Sequence, residues 1–197
     1  MDDATRTTGR LSPDDWARAA LEVIAEGGVP SVAVERLASS LGATKGSFYW
    51  HFASRRAVIE AALSLWEREH TDAVITMMEA EADPATRLRR LMTTIIAAAA
   101  RDRVELPLLA NSDDPVVRDV VGRVTARRVE WVAQTYQQLG LDPGAARDRA
   151  VVAYATYVGH LQLVRATDQV PTTGPAARVH LDAIMQVLLA PVPDDHG

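Results

Sequence analysis

Side chains able to hydrogen-bond phosphate or base edges crowd into one stretch of the chain. Thr44, Lys45, Ser47, Tyr49 and His51 follow one another closely, and Gly46 among them lets the backbone come near a phosphate. The surrounding segment, Arg36 to Ile59, holds Arg36, Lys45, Arg55 and Arg56 and no Asp or Glu. A basic segment of this size is more often a solvated surface than a binding site, so its neighbours must decide. The chain as a whole carries 21 Lys+Arg against 26 Asp+Glu, a net charge of −5. Coating nucleic acid by bulk charge is therefore excluded, while a local contact through this segment is not. Association through it is expected to weaken with salt.

Other chemistry is thinly represented. With 0 Cys the chain has no disulfide, thiolate metal site, iron–sulfur cluster or Cys nucleophile. No Ser–His–Asp or paired-carboxylate arrangement stands out from chance, and neighbouring His, Asp and Glu do not complete a three-ligand metal set. The expectation is no metal, no cofactor and no enzymatic activity.

The elements that must carry the polar cluster are helices. Hydrophobic residues make up 48% and aromatics 5% of the 197 residues, with Ala, Val and Leu plentiful, which leans helical. Ser12-Pro13-Asp14-Asp15 reads as a capping box with proline at the first helical position, and Trp16, Ala17, Ala20, Leu21 and Ile24 form a helical stripe behind it. Gly27-Gly28 ends that helix, Ser31 caps a second, and Gly42 supplies the sharp turn before Thr44, which caps a short third. Ser54 opens a long amphipathic helix running to about Ala80. Further helices start at Asp83-Pro84, Pro115, Asp142-Pro143 and Ala176, with a broken stretch from Arg101 to Pro115. The expectation is an all-α chain of about nine helices, three short ones followed by about six longer ones. The start, MDDATRTTGR, has no apolar core and is not a signal peptide, and no apolar run approaches the ~18 residues that span a bilayer. A cytoplasmic protein with no membrane partner is expected. Arg6 and Arg10 read as a frayed arm, and the tail after Pro191 as disordered.

Two short helices joined at Leu41-Gly42-Ala43-Thr44 have helix-turn-helix spacing. The run from Val34 through Leu41-Gly42-Ala43-Thr44-Lys45-Gly46-Ser47-Phe48-Tyr49-Trp50-His51-Phe52, then Ser54-Arg55-Arg56, resembles the TetR family of transcriptional regulators over about a quarter of the chain. The resemblance implies an N-terminal helix-turn-helix DNA-binding domain, residues 1–53, and a helical effector-binding and dimerisation domain, residues 54–197. It implies a homodimer on double-stranded, palindromic operator DNA, acting as a repressor released by a small, mostly apolar effector. By motif position the DNA-contacting residues are Thr44, Lys45, Gly46, Ser47, Tyr49, Trp50, His51 and Arg55, while Phe48 and Phe52 pack inside. Glu35 departs from the pattern: an acid there would be repelled by phosphate.

In the C-terminal domain Trp66, His70, Met92, Ile96, Trp131, Tyr154, Tyr157 and His160 are candidates to line an apolar cavity, though each is singly more often plain core. Tyr157 and His160, three apart, share a helix face. Ala155 and Gly159 on one of the last two helices, and Leu181, Ile184 and Leu188 on the other, are the expected pairing surface between subunits. A TetR-like regulator without an effector, and a helical enzyme on the same fold, are the alternatives; a closed cavity would favour the former.

Overall fold

The computed structural model describes residues 11–190, and among these the chain is all α-helical. Arg6, Arg10 and the tail 191–197 lie outside the described residues. Ser12 closes the expected capping box on α1 (Pro13–Gly27): its Oγ accepts from Asp15 N at 3.2 Å, and Asp15 Oδ2 accepts from Ser12 N at 2.7 Å. Gly28, at φ +75°, ends the helix in a conformation only glycine takes at little cost. Ser31 does not cap the next helix. Pro30 helps wind Val29–Ser31 into a 3₁₀ turn, and the Ser31 hydroxyl donates back to Gly27 O at 2.6 Å. Helix α2 (Val34–Ser40) therefore starts from Ala33 without a side-chain cap. Helix α3 (Lys45–Tyr49) follows a tight turn in which Gly42 sits at φ +62°.

The long helix α4 is one continuous rod of three stretches: Arg55–Glu67, a π-helical turn Arg68–Asp72, and Ala73–Glu79. After it come α5 (Pro84–Ala98), the short α6 (Glu105–Ala110), α7 (Pro115–Gln138), α8 (Pro143–Ala166) and α9 (Gly174–Leu188). Asp83, Asp114 and Asp142 cap α5, α7 and α8, each ahead of a proline at the first helical position. Helices α7 and α8, 24 residues each, lie antiparallel.

Two apolar clusters hold these helices together. One joins Trp16, Leu21, Ile24, Leu37, Phe48 and Phe52 of the N-terminal helices to Val58, Ala62, Leu63 and Trp66 of α4, and continues into Leu108, Val117, Val121 and Val124. The other joins Leu88, Met92 and Ile96 of α5 to Val132, Tyr136, Ala150, Ala153, Met185 and Leu188. The first cluster thus runs from the short helices into α6 and α7 without a break, and α4 belongs to the packing of both halves.

Candidate nucleic-acid interface and cavity

Helix α3 has only five residues, too few to be stable alone, and it is set by its cap and its one buried face. Thr44 Oγ1 accepts from Ser47 N at 3.2 Å. Phe48 is fully buried, edge-on to Trp16 at 5.4 Å and tilted on Phe52 at 5.7 Å. Anchoring Phe48 turns the opposite face outward: Thr44, Lys45, Gly46, Tyr49 and Trp50 are exposed, and Ser47 and His51 half-buried. Tyr49 is 59% and Trp50 85% exposed, a large indole with no intramolecular cover. A Cβ on Gly46 would meet Thr44 Oγ1 at an ordinary 3.6 Å, so nothing inside the chain demands a glycine there.

The cations of the basic segment are engaged within the chain. Lys45 Nζ lies 2.5 Å from Glu35 Oε1, Arg36 Nη2 lies 2.5 Å from Glu26 Oε2, and Arg56 Nε lies 2.8 Å from Glu60 Oε1. Arg55, expected to contact DNA, instead donates from Nε to Val32 O at 2.5 Å and from Nη2 to Val29 O at 2.6 Å. Val29 O opens the 3₁₀ turn and also accepts from Val32 N at 3.2 Å, and Val32 follows the turn, so the guanidinium staples the turn to the start of α4. Lys45 holds the Glu35 carboxyl below the usual carboxylate range, and Glu35 in turn raises Lys45, so both are charged at neutral pH.

The C-terminal half encloses a narrow cavity of ≈ 70 Å³. Of the expected lining, His70, Met92, Trp131, Tyr154 and Tyr157 are there, joined by Val74, Ile75, Leu88, Leu91 and Ile95. Trp66, Ile96 and His160 are not. Trp66 is in the first cluster, its ring 5.3 Å from the Arg128 guanidinium carbon. Ile96 is core, and His160 stacks on His180 at 5.4 Å between α8 and α9. Leu188, expected on the pairing surface, turns inward to line the cavity, and its carbonyl accepts from Tyr136 Oη at 3.1 Å. Ala155 and Gly159 are exposed, while Leu181 and Ile184 are half-buried against the second cluster. Val152 and Leu163 on α8 and Val179 and Val187 on α9, about half or more exposed, give the last two helices an apolar outer face.

His70, Thr71, Arg128, Tyr154 and Tyr157 bring polar groups to the cavity wall, and Glu105, which nothing in the sequence marks out, lies buried beside Arg128. Glu105, 1% exposed, accepts from Arg128 Nη1 at 2.7 Å and from Tyr154 Oη at 3.2 Å. Arg128 also donates to Thr71 Oγ1 at 2.9 Å and to His70 O at 3.2 Å, both in the π-turn of α4. Burial alone would lower Arg128, but Glu105 and the nearby tyrosines hold it above its ordinary value. Burial raises Tyr154 and Tyr157, and Tyr157 Oη reaches Asp102 Oδ2 at 3.4 Å. Among the described residues no group of three or more His, Asp or Glu could hold a metal ion, and no helix is long and apolar enough to cross a membrane.

Two short helices joined by a tight turn, the second capped and facing outward, have helix-turn-helix geometry. Residues 17–62 match the family described as bacterial regulatory proteins, tetR family. Over 66 residues the chain is 36% identical to the tetracycline repressor protein class A from transposon 1721 of Escherichia coli, covering 33% of this chain and 31% of that protein. The chain spans about a third of the length of the curated relatives it matches. Similarity of fold extends much further. A transcriptional regulator from Rhodococcus sp. Rha1 superposes with a TM-score of 0.73 at 20% identity, over 91% of this chain and 96% of that one. The regulator FadR from Bacillus subtilis, in complex with stearoyl-CoA, gives 0.67 at 15% identity, over 92% of this chain and 100% of that one. The similarity to the tetR family of bacterial regulatory proteins is carried by the N-terminal module, and over the rest of the chain the likeness to solved regulators is one of fold.

Proposed function

We propose that the protein is a cytoplasmic, sequence-specific DNA-binding transcriptional regulator. On this reading it is a homodimeric repressor, released from a palindromic operator by a small, mostly apolar effector, and it needs no cofactor. The reading head is residues 1–53 and the effector and pairing domain residues 54–197. The observation that carries the reading is the outward face of α3: Thr44, Lys45, Gly46, Tyr49 and Trp50 stand exposed because Phe48 is pinned beneath them. Ser47 and His51 flank that face. Arg55 keeps a supporting role, holding the head to α4.

The apolar lining supports a ligand with an apolar body, and the FadR neighbour holds stearoyl-CoA within the same fold. Exposed Val152, Ala155, Gly159 and Leu163 on α8, with Val179 and Val187 on α9, support pairing through a four-helix bundle across a two-fold axis. A second reading, a regulator without a small-molecule effector, is favoured by the size of the cavity: ≈ 70 Å³ is well below the ~300–1,000 Å³ of ordinary ligand sites.

The test begins with selection of duplexes from a random pool by the wild-type protein. Lys45→Ala and Tyr49→Phe are expected to weaken binding to the selected duplex with an unchanged melting curve. Unaltered affinity in both variants would remove α3 as the reading helix. Apolar compounds that raise the melting temperature are then titrated into the complex. Release of the duplex separates the effector reading from the effector-free one.

A further inference from the structure

We infer that Glu35 is a built-in competitor for phosphate, acting through Lys45 to lower the affinity of each reading head for any duplex. This rests on the DNA-binding reading above. Lys45 is the one lysine of the chain and opens the helix whose first turn faces outward. Glu35 sits in the first turn of α2, where the helix dipole favours an acid. The turn through Gly42 folds α2 and α3 against each other and brings the two charges to 2.5 Å.

The pair contributes little to the fold. Both side chains are more than half exposed, at 59% and 64%. Exposed ion pairs add little to stability. What the pair does is cancel charge where a duplex would sit. Arg36 and Arg56 are likewise matched by Glu26 and Glu60, and Arg55 is committed to two carbonyls. Lys45 is the cation among these on the reading helix itself. To meet a phosphate, its ammonium must leave a carboxylate of comparable strength, and that carboxylate then remains beside the DNA. Both effects oppose binding, and neither depends on base sequence. Glu35 is thus a positioning residue for Lys45, and the neutral donors of α3 are left to discriminate sequence.

The experiment measures wild type, Glu35→Gln, Lys45→Ala and the double variant on two duplexes across a salt titration. One duplex has random sequence, and the other is selected from a pool by the wild-type protein. Melting curves confirm that the exposed substitutions leave the fold intact. Releasing a surface pair of this kind corresponds to about two- to five-fold per head, hence about 4- to 25-fold for two heads. Glu35→Gln is expected to tighten both duplexes by that common factor and to steepen the log–log salt slope by about 1 per head. In the Lys45→Ala background the gain should shrink to the part that comes from direct repulsion between the Glu35 carboxylate and phosphate. The inference is overturned if Glu35→Gln leaves random DNA unchanged, or if it weakens the selected duplex alone, which would make Glu35 a base reader. It is also overturned if the gain persists undiminished without Lys45. Wild-type protein that binds neither duplex at about 50 mM salt would refute the DNA-binding reading itself, a result separable from any behaviour of Glu35→Gln.

Discussion

Glu105→Gln perturbs the one buried ion pair of the molecule's described residues while conserving shape. Glu105 and Arg128 side chains are 2% and 14% exposed, and their charged atoms lie 2.7 Å apart. At an effective dielectric near 20, two charges at that distance attract by about 6 kcal/mol, much of it offset by the several kcal/mol lost in taking each ion out of water. The pair itself is therefore near neutral in its contribution, but half of it is not. Removing one partner of a buried pair costs about 3–5 kcal/mol because the other charge stays buried and uncompensated. Glutamine still offers Arg128 a neutral acceptor, which places this variant near the lower end, about 3 kcal/mol. For a domain of this size 1 kcal/mol moves the melting temperature by ~2–4 °C, so the expected loss is ~6–12 °C by scanning calorimetry, with a matching fall in urea midpoint. Glu105→Gln/Arg128→Met removes both charges and is expected to recover most of that loss, the methionine filling the space beside Trp66. A melting temperature for Glu105→Gln within ~2 °C of the parent would refute the argument. So would a double variant whose loss is the plain sum of the two single losses, because the charges would then be uncoupled.

Two further outcomes test the packing. Phe48→Ala is expected to cost ~3 kcal/mol or more, since it opens a cavity against Trp16 and Phe52, and a denaturant titration showing a loss below ~1 kcal/mol would remove Phe48 from the core. Burial pushes Tyr136 up to about 12, so its native state keeps a proton that the unfolded chain gives up near 10. That contribution is fully present below about pH 10 and is lost as pH rises towards 12, a fall of roughly 2–3 kcal/mol. Urea midpoints measured across this window should decline, and Tyr136→Phe should flatten the decline; an equal slope in the variant would exclude Tyr136 as its source.

Much of the head was legible because local chemistry decides it. Ser12, Thr44 and Ser54 cap helices whose starts they mark in the sequence, and Gly42 stands where the chain needs a positive φ. Ser31 misled because Pro30 and Val29 wind a 3₁₀ turn that gives its hydroxyl a nearer acceptor in Gly27. Arg55 has a second role that charge counting cannot see: two carbonyls 23 and 26 residues away accept from its guanidinium. The cavity was half legible. His70, Tyr154 and Tyr157 announce themselves as polar or aromatic side chains on apolar helices. Glu105 lies in a stretch without periodicity, and Arg128 is one arginine among many, so only the fold makes their pairing visible. Leu188 belongs to a helix with apolar residues on most sides, and periodicity could not tell the inward face from the outward one.

The place where Arg128 grips α4 bears on how a ligand would act, if the proposed function holds. A π-turn leaves one backbone register out of step with the ordinary α-helical ladder and commonly marks a functional site. Here it spans Arg68–Asp72, and Arg128 holds it through Thr71 Oγ1 and His70 O. His70 and Thr71 line the cavity, as do Val74 and Ile75 one turn further on. On the other side of the π-turn, Val58, Ala62 and Leu63 of the same rod are fully buried against the reading head. A ligand that widens the ≈ 70 Å³ cavity must move one of its walls. The α4 wall is the one that carries the π-turn, and the same helix packs into the head through Val58, Ala62 and Leu63. Displacing it would shift α3 relative to the second subunit's α3, whose spacing must match the ~34–36 Å repeat of the duplex or a multiple of it. The size of the response is bounded by the ligand's differential affinity for the narrow and the widened states. A compound that fits the cavity without widening it would bind and release nothing.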